Sequence, residues 1–214
     1  EFMLQMDLNN SEKSCNSLVK VMADYSSGTI VSAILQTKPN LGEIFMQHEM
    51  SGKLAAARIF LLRGDNDIFS SQCEAIINPV NCVGVMGKGL ALAFKNKYPE
   101  VFSSYKSACD KKTFVIGTCQ SVSAQDGKVV INFPTKDDFK NPSKYSYIEL
   151  GLESLNRHIL KRKIKSIAIP ALGCGNGGLK WNHVLDIMIR HFTEHATELG
   201  LERVEIYQPI PNYY

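Results

Sequence analysis

Two apolar runs, each ending in a glycine-rich loop and followed at once by a helical pattern, restrict the possible fold more than any other feature of this chain. The first, Ala75-Ile-Ile-Asn-Pro-Val80, leads into Asn81-Cys-Val-Gly-Val-Met-Gly-Lys-Gly89 and then into the periodic stretch Leu90-Ala-Leu-Ala-Phe94. The second, Ser166-Ile-Ala-Ile-Pro-Ala-Leu172, leads into Gly173-Cys-Gly-Asn-Gly-Gly178 and a helix whose expected cap is Asn182. Glycine has no Cβ, so backbone N–H groups in such loops can turn toward an anion at the helix N-terminus. Two of these loops in one small domain point to a diphosphate held from both sides. Tight turns without a ligand are the alternative for either loop alone. Neither matches the commoner phosphate motifs. Gly84-x-x-Gly87-x-Gly89 departs from G-x-G-x-x-G, and Lys88 is followed by Gly89 rather than by the Ser or Thr that completes a P-loop.

The alternation extends to both sides. Strands are expected at residues 58–62, 75–80, 117–123, 129–133, 166–172 and 204–207. Between them, Ile148, Leu152, Leu155 and Ile159, and then Leu185, Met188, Ile189 and Phe192, recur at helical spacing and read as core faces. This order predicts a three-layer α/β/α domain with a mixed, largely parallel sheet, whose ligand lies at the C-terminal strand ends where both loops fall. Before Gly52 the pattern changes. Leu18, Val21, Met22 and Tyr25 suit one helix and Leu41, Ile44, Phe45 and Met46 another, so residues 1–55 read as a helical N-terminal extension and 56–214 as the domain proper. Glu1-Phe2 ahead of Met3 reads as a cloning scar.

A net charge of +3 excludes a strongly cationic protein. Arg157, Lys161, Arg162, Lys163 and Lys165 cluster at the end of an expected helix, where they complement its dipole or form a nucleic-acid patch. The six cysteines lack any C-x-x-C spacing and read as reduced thiols of a cytosolic protein. No run is long and apolar enough for a bilayer, and no secretory signal is visible, so a cytoplasmic location is expected, or a nuclear one in a eukaryote.

Five segments, in this order, resemble the macrodomain family: Asn66-Asp-Ile-Phe69, Ala75-Ile-Ile-Asn-Pro-Val-Asn81, the Gly84-to-Gly89 loop, Ile131-Asn-Phe-Pro-Thr-Lys136 and Ile169-Pro-Ala-Leu-Gly-Cys-Gly175. The run from Val80 to Lys95 and the Asn-Phe-Pro-Thr-Lys motif are most similar to the branch of DarG antitoxins and terminal ADP-ribose protein glycohydrolases. The resemblance spans residues 58–209 and implies an ADP-ribose pocket with no cofactor and no metal. It places Asp67 on the adenine amino group, the Ile68 backbone on the adenine ring and Asn81 on the distal ribose. Gly84, Val85, Met86, Gly87, Lys88 and Gly89, and Gly173, Cys174, Gly175, Asn176, Gly177, Gly178 and Leu179, would surround the ligand, with Thr135 beside them. Lys136 and Asn81 would carry catalysis. Human-type terminal glycohydrolase has an aspartate where this chain has Gly177; DarG-like members have glycine, which favours the nucleic-acid-directed branch.

Each residue type also suits its implied role chemically. A carboxylate selects adenine by accepting from its exocyclic amine, and an amide can donate and accept to neighbouring ribose hydroxyls. A free-base amine can attack the anomeric carbon of an opened ribose or take a proton. The plain alternatives are a turn cap for Asp67, a tie for the following loop at Asn81 and a solvated strand end for Lys136. Asp137 and Asp138 would tune Lys136 or repel a phosphodiester. His191-Phe-Thr-Glu-His195 fits H-x-x-E-H, yet both histidines flank the apolar stripe and little chain remains for a third ligand, so no zinc site is expected. His183 reads as a helix-start residue. The function implied is a hydrolase that removes ADP-ribose from a macromolecular acceptor, preferentially a DNA base. Its partners would be ADP-ribosylated DNA and an ADP-ribosyltransferase toxin. A non-catalytic ADP-ribose reader, or a hydrolase of small ADP-ribose derivatives or ADP-ribosyl protein, is the alternative.

Overall fold

The computed structural model describes residues 58–62 and 66–209, together with the backbone of 20–24, 30–38, 41–50 and 53–54. Four strands come first: β1 (Lys20–Asp24), β2 (Ile30–Lys38), β3 (Leu41–Met50) and β4 (Lys53–Leu54). The domain that follows contains β5 (Arg58–Leu62), β6 (Ala75–Val80), helices α1 (Gly89–Lys97) and α2 (Pro99–Asp110), β7 (Gln120–Ser123), β8 (Val129–Pro134), α3 (Tyr145–Arg162), β9 (Ser166–Ile169), α4 (Trp181–His195) and β10 (Arg203–Tyr207). Its six strands run in the order β5-β10-β9-β6-β8-β7. All neighbours are parallel except β7 against β8. The parallel strands are near-continuous apolar runs because both of their faces are covered.

Alternate side chains of each strand feed opposite layers. On one face Ile59, Leu61, Ile77, Ile131 and Ile169 pack against Ile148, Leu152 and Leu155 of α3 and Val184, Leu185, Met188 and Phe192 of α4, as the helical spacing predicts. On the other, Phe60, Ile76, Val130 and Ala168 meet Phe94 of α1 and Val101 of α2. A Cβ at Gly151 would overlap the Phe133 ring, so glycine lets α3 lie directly on β8. Since α3 crosses back from the C-terminal end of β8, its basic C-terminus lies at the opposite end of the sheet from the glycine loops.

Four expectations are corrected. The stretches around Val21 and Met22 and around Leu41, Ile44, Phe45 and Met46 are not helices: both run as strands, β1 and β3, paired antiparallel with β2 between them. Leu18 and Tyr25 lie outside the described residues. Val21-Met22-Ala23 and Ile44-Phe45-Met46 are short apolar runs whose spacing does not separate strand from helix, and Ile30, Val31 and Ile34 of β2 supply a β-branched partner that a single-segment reading does not weigh. Gly42 of β3 pairs with Leu61 of β5, joining this hairpin to the domain's sheet. The cap of α4 is Lys180 rather than Asn182, which falls inside the first turn; the Lys180 N–H donates to the Tyr145 hydroxyl at 3.3 Å. Strand 117–123 begins only at Gln120, after a left-handed Gly117 (φ +77°), and the strand from Ser166 stops at Ile169, before Pro170.

Candidate active site

The C-terminal ends of β5, β6, β8 and β9 deliver every residue implicated by the sequence to one edge of the sheet. At the end of β5, Asp67 caps a single 3₁₀ turn, Ile68–Ser70: its Oδ1 accepts from Phe69 N–H at 3.0 Å and its Oδ2 from the Ser70 hydroxyl at 3.0 Å. The cap and ligand roles are compatible, because a carboxylate has about four lone-pair sites and these bonds use two. Ile68 is buried and Phe69 packs on Phe94 with ring centroids 4.7 Å apart, which fixes the turn to α1.

Beyond β6, Asn81 organises the first glycine loop. Its Nδ2 donates to Val85 O at 2.6 Å, and its Oδ1 accepts from Val83 N–H at 3.0 Å and Val85 N–H at 3.3 Å. The buried Tyr105 hydroxyl of α2 stands 2.9 Å from both Asn81 O and Oδ1. One Nδ2 proton is left for a ligand. Met86 plugs the loop into a small core with Val80, Tyr105 and Phe114. Gly84 is left-handed (φ +79°), and a Cβ there would stand 2.7 Å from Lys106 Cδ. Lys88 caps α1 without a side-chain bond, so no side chain caps the first-turn N–H groups of α1.

The second loop is closed on itself. Leu179 N–H donates to Gly173 O at 3.0 Å, Gly178 N–H to Gly175 O at 2.9 Å and Ser143 N–H to Gly177 O at 2.9 Å. Gly173 and Gly178 are left-handed, at φ +70° and +76°. A Cβ at Gly177 would overlap both Ser143 Oγ and Gly173 O, so an aspartate cannot occupy this position with the loop as it stands. The buried Cys174 thiol is pushed up to about 12 by desolvation, which excludes a thiolate role near neutrality. The loops converge: a Cβ on Gly89 would lie 3.5 Å from Asn176 Nδ2. Among the described residues, the N–H groups of Gly87 and Lys88 in one loop and of Gly175 and Asn176 in the other have no protein acceptor.

Lys136 follows the buried Thr135 at the end of β8. Thr135 N–H donates to Val80 O at 2.9 Å and Cys82 N–H to Asp137 O at 3.2 Å, so backbone bonds on either side bracket Asn81 and Lys136 together. The Lys136 ammonium donates to Phe139 O at 3.2 Å. Asp137 and Asp138 do not turn to it. Asp137 Oδ1 accepts from Asp138 N–H at 2.7 Å and Asn141 Nδ2 at 3.2 Å, and Asp138 Oδ1 from Lys140 N–H at 2.9 Å. Those donors hold the Asp137 carboxyl below its ordinary value, led by the Asp138 N–H. Tyr105, Ser143 and Phe139 were not singled out from the sequence; each is distant from its partner or marked only by a common residue type.

His183 stands beside the second loop, whereas the basic end of α3 lies at the other end of the sheet. His183, in the first turn of α4, places Nδ1 3.3 Å from the Tyr145 hydroxyl. The basic end of α3 borders a cleft of about 380 Å³ lined by Cys119, Gln120, Ser121, His158, Lys161 and Arg162, where Arg162 donates to the hydroxyls of Ser121 and Ser123. His191 is engaged with Asn156 Oδ1 at 2.9 Å across the α3–α4 seam. Burial, and secondarily His195, lowers its pKa from 6.5 to about 4. The unfolded chain therefore binds the extra proton first as pH falls, and the stability that His191 contributes above pH 6.5 is lost progressively toward pH 4. The loss is on the order of 2 kcal/mol, and a His191→Gln protein should show a correspondingly flatter fall of melting temperature across that window. Equal slopes in the two proteins would refute this assignment.

A protein-family profile described as Macro domain matches residues 77–188. The chain is 46% identical over 138 residues to the DNA ADP-ribosyl glycohydrolase of Mycobacterium tuberculosis, a match that covers 61% of this chain and 38% of the relative. It thus spans well under half the length of that curated relative. Among solved structures, the macrodomain of Mycobacterium tuberculosis DarG superposes with a TM-score of 0.65 at 42% identity, covering 70% of this chain and 98% of that one. Thermosipho africanus DarTG in complex with ADP-ribose gives a TM-score of 0.63 at 34% identity, covering 79% and 46%.

Proposed function

The chain belongs to the macrodomain family, and from that premise we propose that it binds ADP-ribose across the two glycine loops and hydrolyses its bond to a DNA base. The observation that carries this reading is the convergence of the loops at Gly89 and Asn176, with unpaired N–H groups on each side. A diphosphate fits between two rows of donors at the start of α1. Asp67, at one end of this edge, accepts from the adenine amino group. Asn81 and Lys136, bracketed together at the other, face the distal ribose.

Hydrolysis breaks the bond between the anomeric carbon and the base nitrogen. The nitrogen gains a proton, and the oxygen of water ends on the anomeric carbon. Lys136 acts at that carbon, as the base that takes the attacking water's proton or as the amine that attacks the opened ribose, forming an adduct as the base nitrogen leaves with a proton and being freed when water hydrolyses that adduct. Its bond to Phe139 O aims the Nζ while leaving the remaining donors for the substrate. Asn81 acts mainly through the loop it holds and touches the ribose with its one remaining Nδ2 proton. The substrate must be made by an enzyme that transfers ADP-ribose onto DNA, so an ADP-ribosyltransferase is the expected partner activity. No helix among the described residues is long and apolar enough to cross a membrane.

Offering an ADP-ribosylated oligonucleotide, a glutamate-linked ADP-ribosyl protein and O-acetyl-ADP-ribose in parallel tests the proposal. Free ADP-ribose should appear fastest from the oligonucleotide. Tight binding of ADP-ribose with no release from any of the three would make the protein a reader instead.

A further inference from the structure

The turn that carries Lys136 also presents an aromatic ring. Among the described residues Phe139 is the one aromatic side chain left exposed, at 46%, while the others are buried or half-buried. The turn is held rigidly from within. Asp137 and Asp138 spend their carboxylates on its own N–H groups, Asn141 N–H donates to Asp138 O at 3.1 Å, and Phe139 O receives the Lys136 ammonium at 3.2 Å. A ring kept in water at the tip of a fixed turn forgoes the burial that the other described phenylalanines obtain in whole or part. Its backbone touches the residue assigned to the chemistry, so whatever is attached to the ADP-ribose must pass close to the ring. Lys140 stands beside it, its ammonium 5.6 Å from the Phe139 ring centroid, and exposed Lys144, just before α3 with its ammonium 5.3 Å from the Tyr147 ring, is close enough to the turn for its charge to act on Asp137. The acidic pair gives one oxygen each to donors within the turn, and the two lysines set positive charge beside it.

We propose that Phe139 is a specificity residue that stacks on a base adjoining the modified nucleotide, with Lys140 and Lys144 on the neighbouring phosphates. An aromatic platform beside two cations is the arrangement by which proteins hold unpaired strands, since every base offers a face to stack on and the backbone supplies the charge. A duplex keeps its faces covered, so such a ring engages only an unpaired stretch. This inference rests on the DNA-directed reading above and adds to it which residues choose the acceptor.

The test compares wild type, Phe139→Ala, Phe139→Tyr and a Lys140→Gln/Lys144→Gln protein. One arm measures binding of an unmodified single-stranded oligonucleotide by fluorescence anisotropy across a salt series. The other measures ADP-ribose release from an ADP-ribosylated oligonucleotide and from the ADP-ribosylated mononucleoside. For Phe139→Ala, oligonucleotide affinity should fall and KM rise roughly tenfold, the scale of one lost base–aromatic stack. The kcat should hold, the mononucleoside should be processed as before, and tyrosine should restore binding. The lysine pair should flatten the salt dependence by a slope of about 1.4, two single-strand phosphates' worth. An oligonucleotide KM and affinity within twofold of wild type in Phe139→Ala would overturn the proposal. So would an equal loss on the mononucleoside, which would make the residue merely a support for Lys136. If wild type released nothing from any oligonucleotide, the glycohydrolase reading would fall, while the anisotropy arm would still decide whether Phe139 stacks.

Discussion

Lys136→Ala is expected to cut release of ADP-ribose from the true substrate by roughly a hundredfold or more, the scale seen when an acid, base or nucleophile is removed, while the affinity for free ADP-ribose changes far less. The structure makes this substitution a clean one. Lys136 is half-buried and its backbone is fixed by the Thr135-to-Val80 and Cys82-to-Asp137 bonds, neither of which involves its side chain. The single bond lost is the one to Phe139 O, a surface carbonyl that water can satisfy. Lys136→Arg discriminates between roles. Guanidinium stays charged and cannot act as a free amine, so a nucleophile or base is not restored, whereas a cation that only balances the diphosphate would be. A Lys136→Arg enzyme with near-native turnover would remove the chemical role and leave an electrostatic one.

What the sequence shows of this fold is whatever is periodic over a short window. The apolar runs at Ala75 and Ser166, the glycines that end them and the stripes at Ile148 and Leu185 are local signals, and each became the element expected. The N-terminal strands are not legible in the sequence because strand pairing is a long-range fact: the Leu41–Met46 run suits a helix until β2 is set against it in register, with Ile34 opposite Phe45. The same distinction divides the site. Asn81 stands out in its motif, but the Tyr105 hydroxyl that completes its hydrogen bonding is 24 positions away on a helix whose stripe of Val101, Tyr105 and Cys109 signals only a core face. At Gly177 the sequence shows an absent aspartate, and the structure supplies a physical reason in the Ser143 hydroxyl and the Gly173 carbonyl, which occupy the space a Cβ would need. Lys136 and its two aspartates are equally visible, yet only the folded turn shows that the carboxylates bond to the turn's own donors rather than to Lys136 and that the Phe139 ring is left exposed.

Gly87→Glu should abolish ADP-ribose binding, by at least about a hundredfold or ~2.7 kcal/mol, without unfolding the protein. The two halves of this expectation have separate physical grounds. Gly87 is exposed, is not among the left-handed glycines, and a Cβ there would meet only Val85 Cγ1 at an ordinary 3.7 Å, so nothing in the fold requires glycine at this position. That open side lies on the loop that converges with the second one near Gly89 and Asn176, where the proposed diphosphate must approach the backbone closely. A carboxylate placed there fills the approach and sets like charges together, a juxtaposition that costs several kcal/mol. Gly177→Ala is the informative contrast. Its Cβ would enter space already held by Ser143 and Gly173, so it should lower the melting temperature even without ligand. Calorimetric titration with ADP-ribose, paired with thermal melts of the ligand-free proteins, separates the cases: Gly87→Glu should keep its melting temperature and lose both the binding heat and the ligand-induced rise. A folded Gly87→Glu protein with undiminished affinity would move the ligand off this loop and with it the diphosphate assignment.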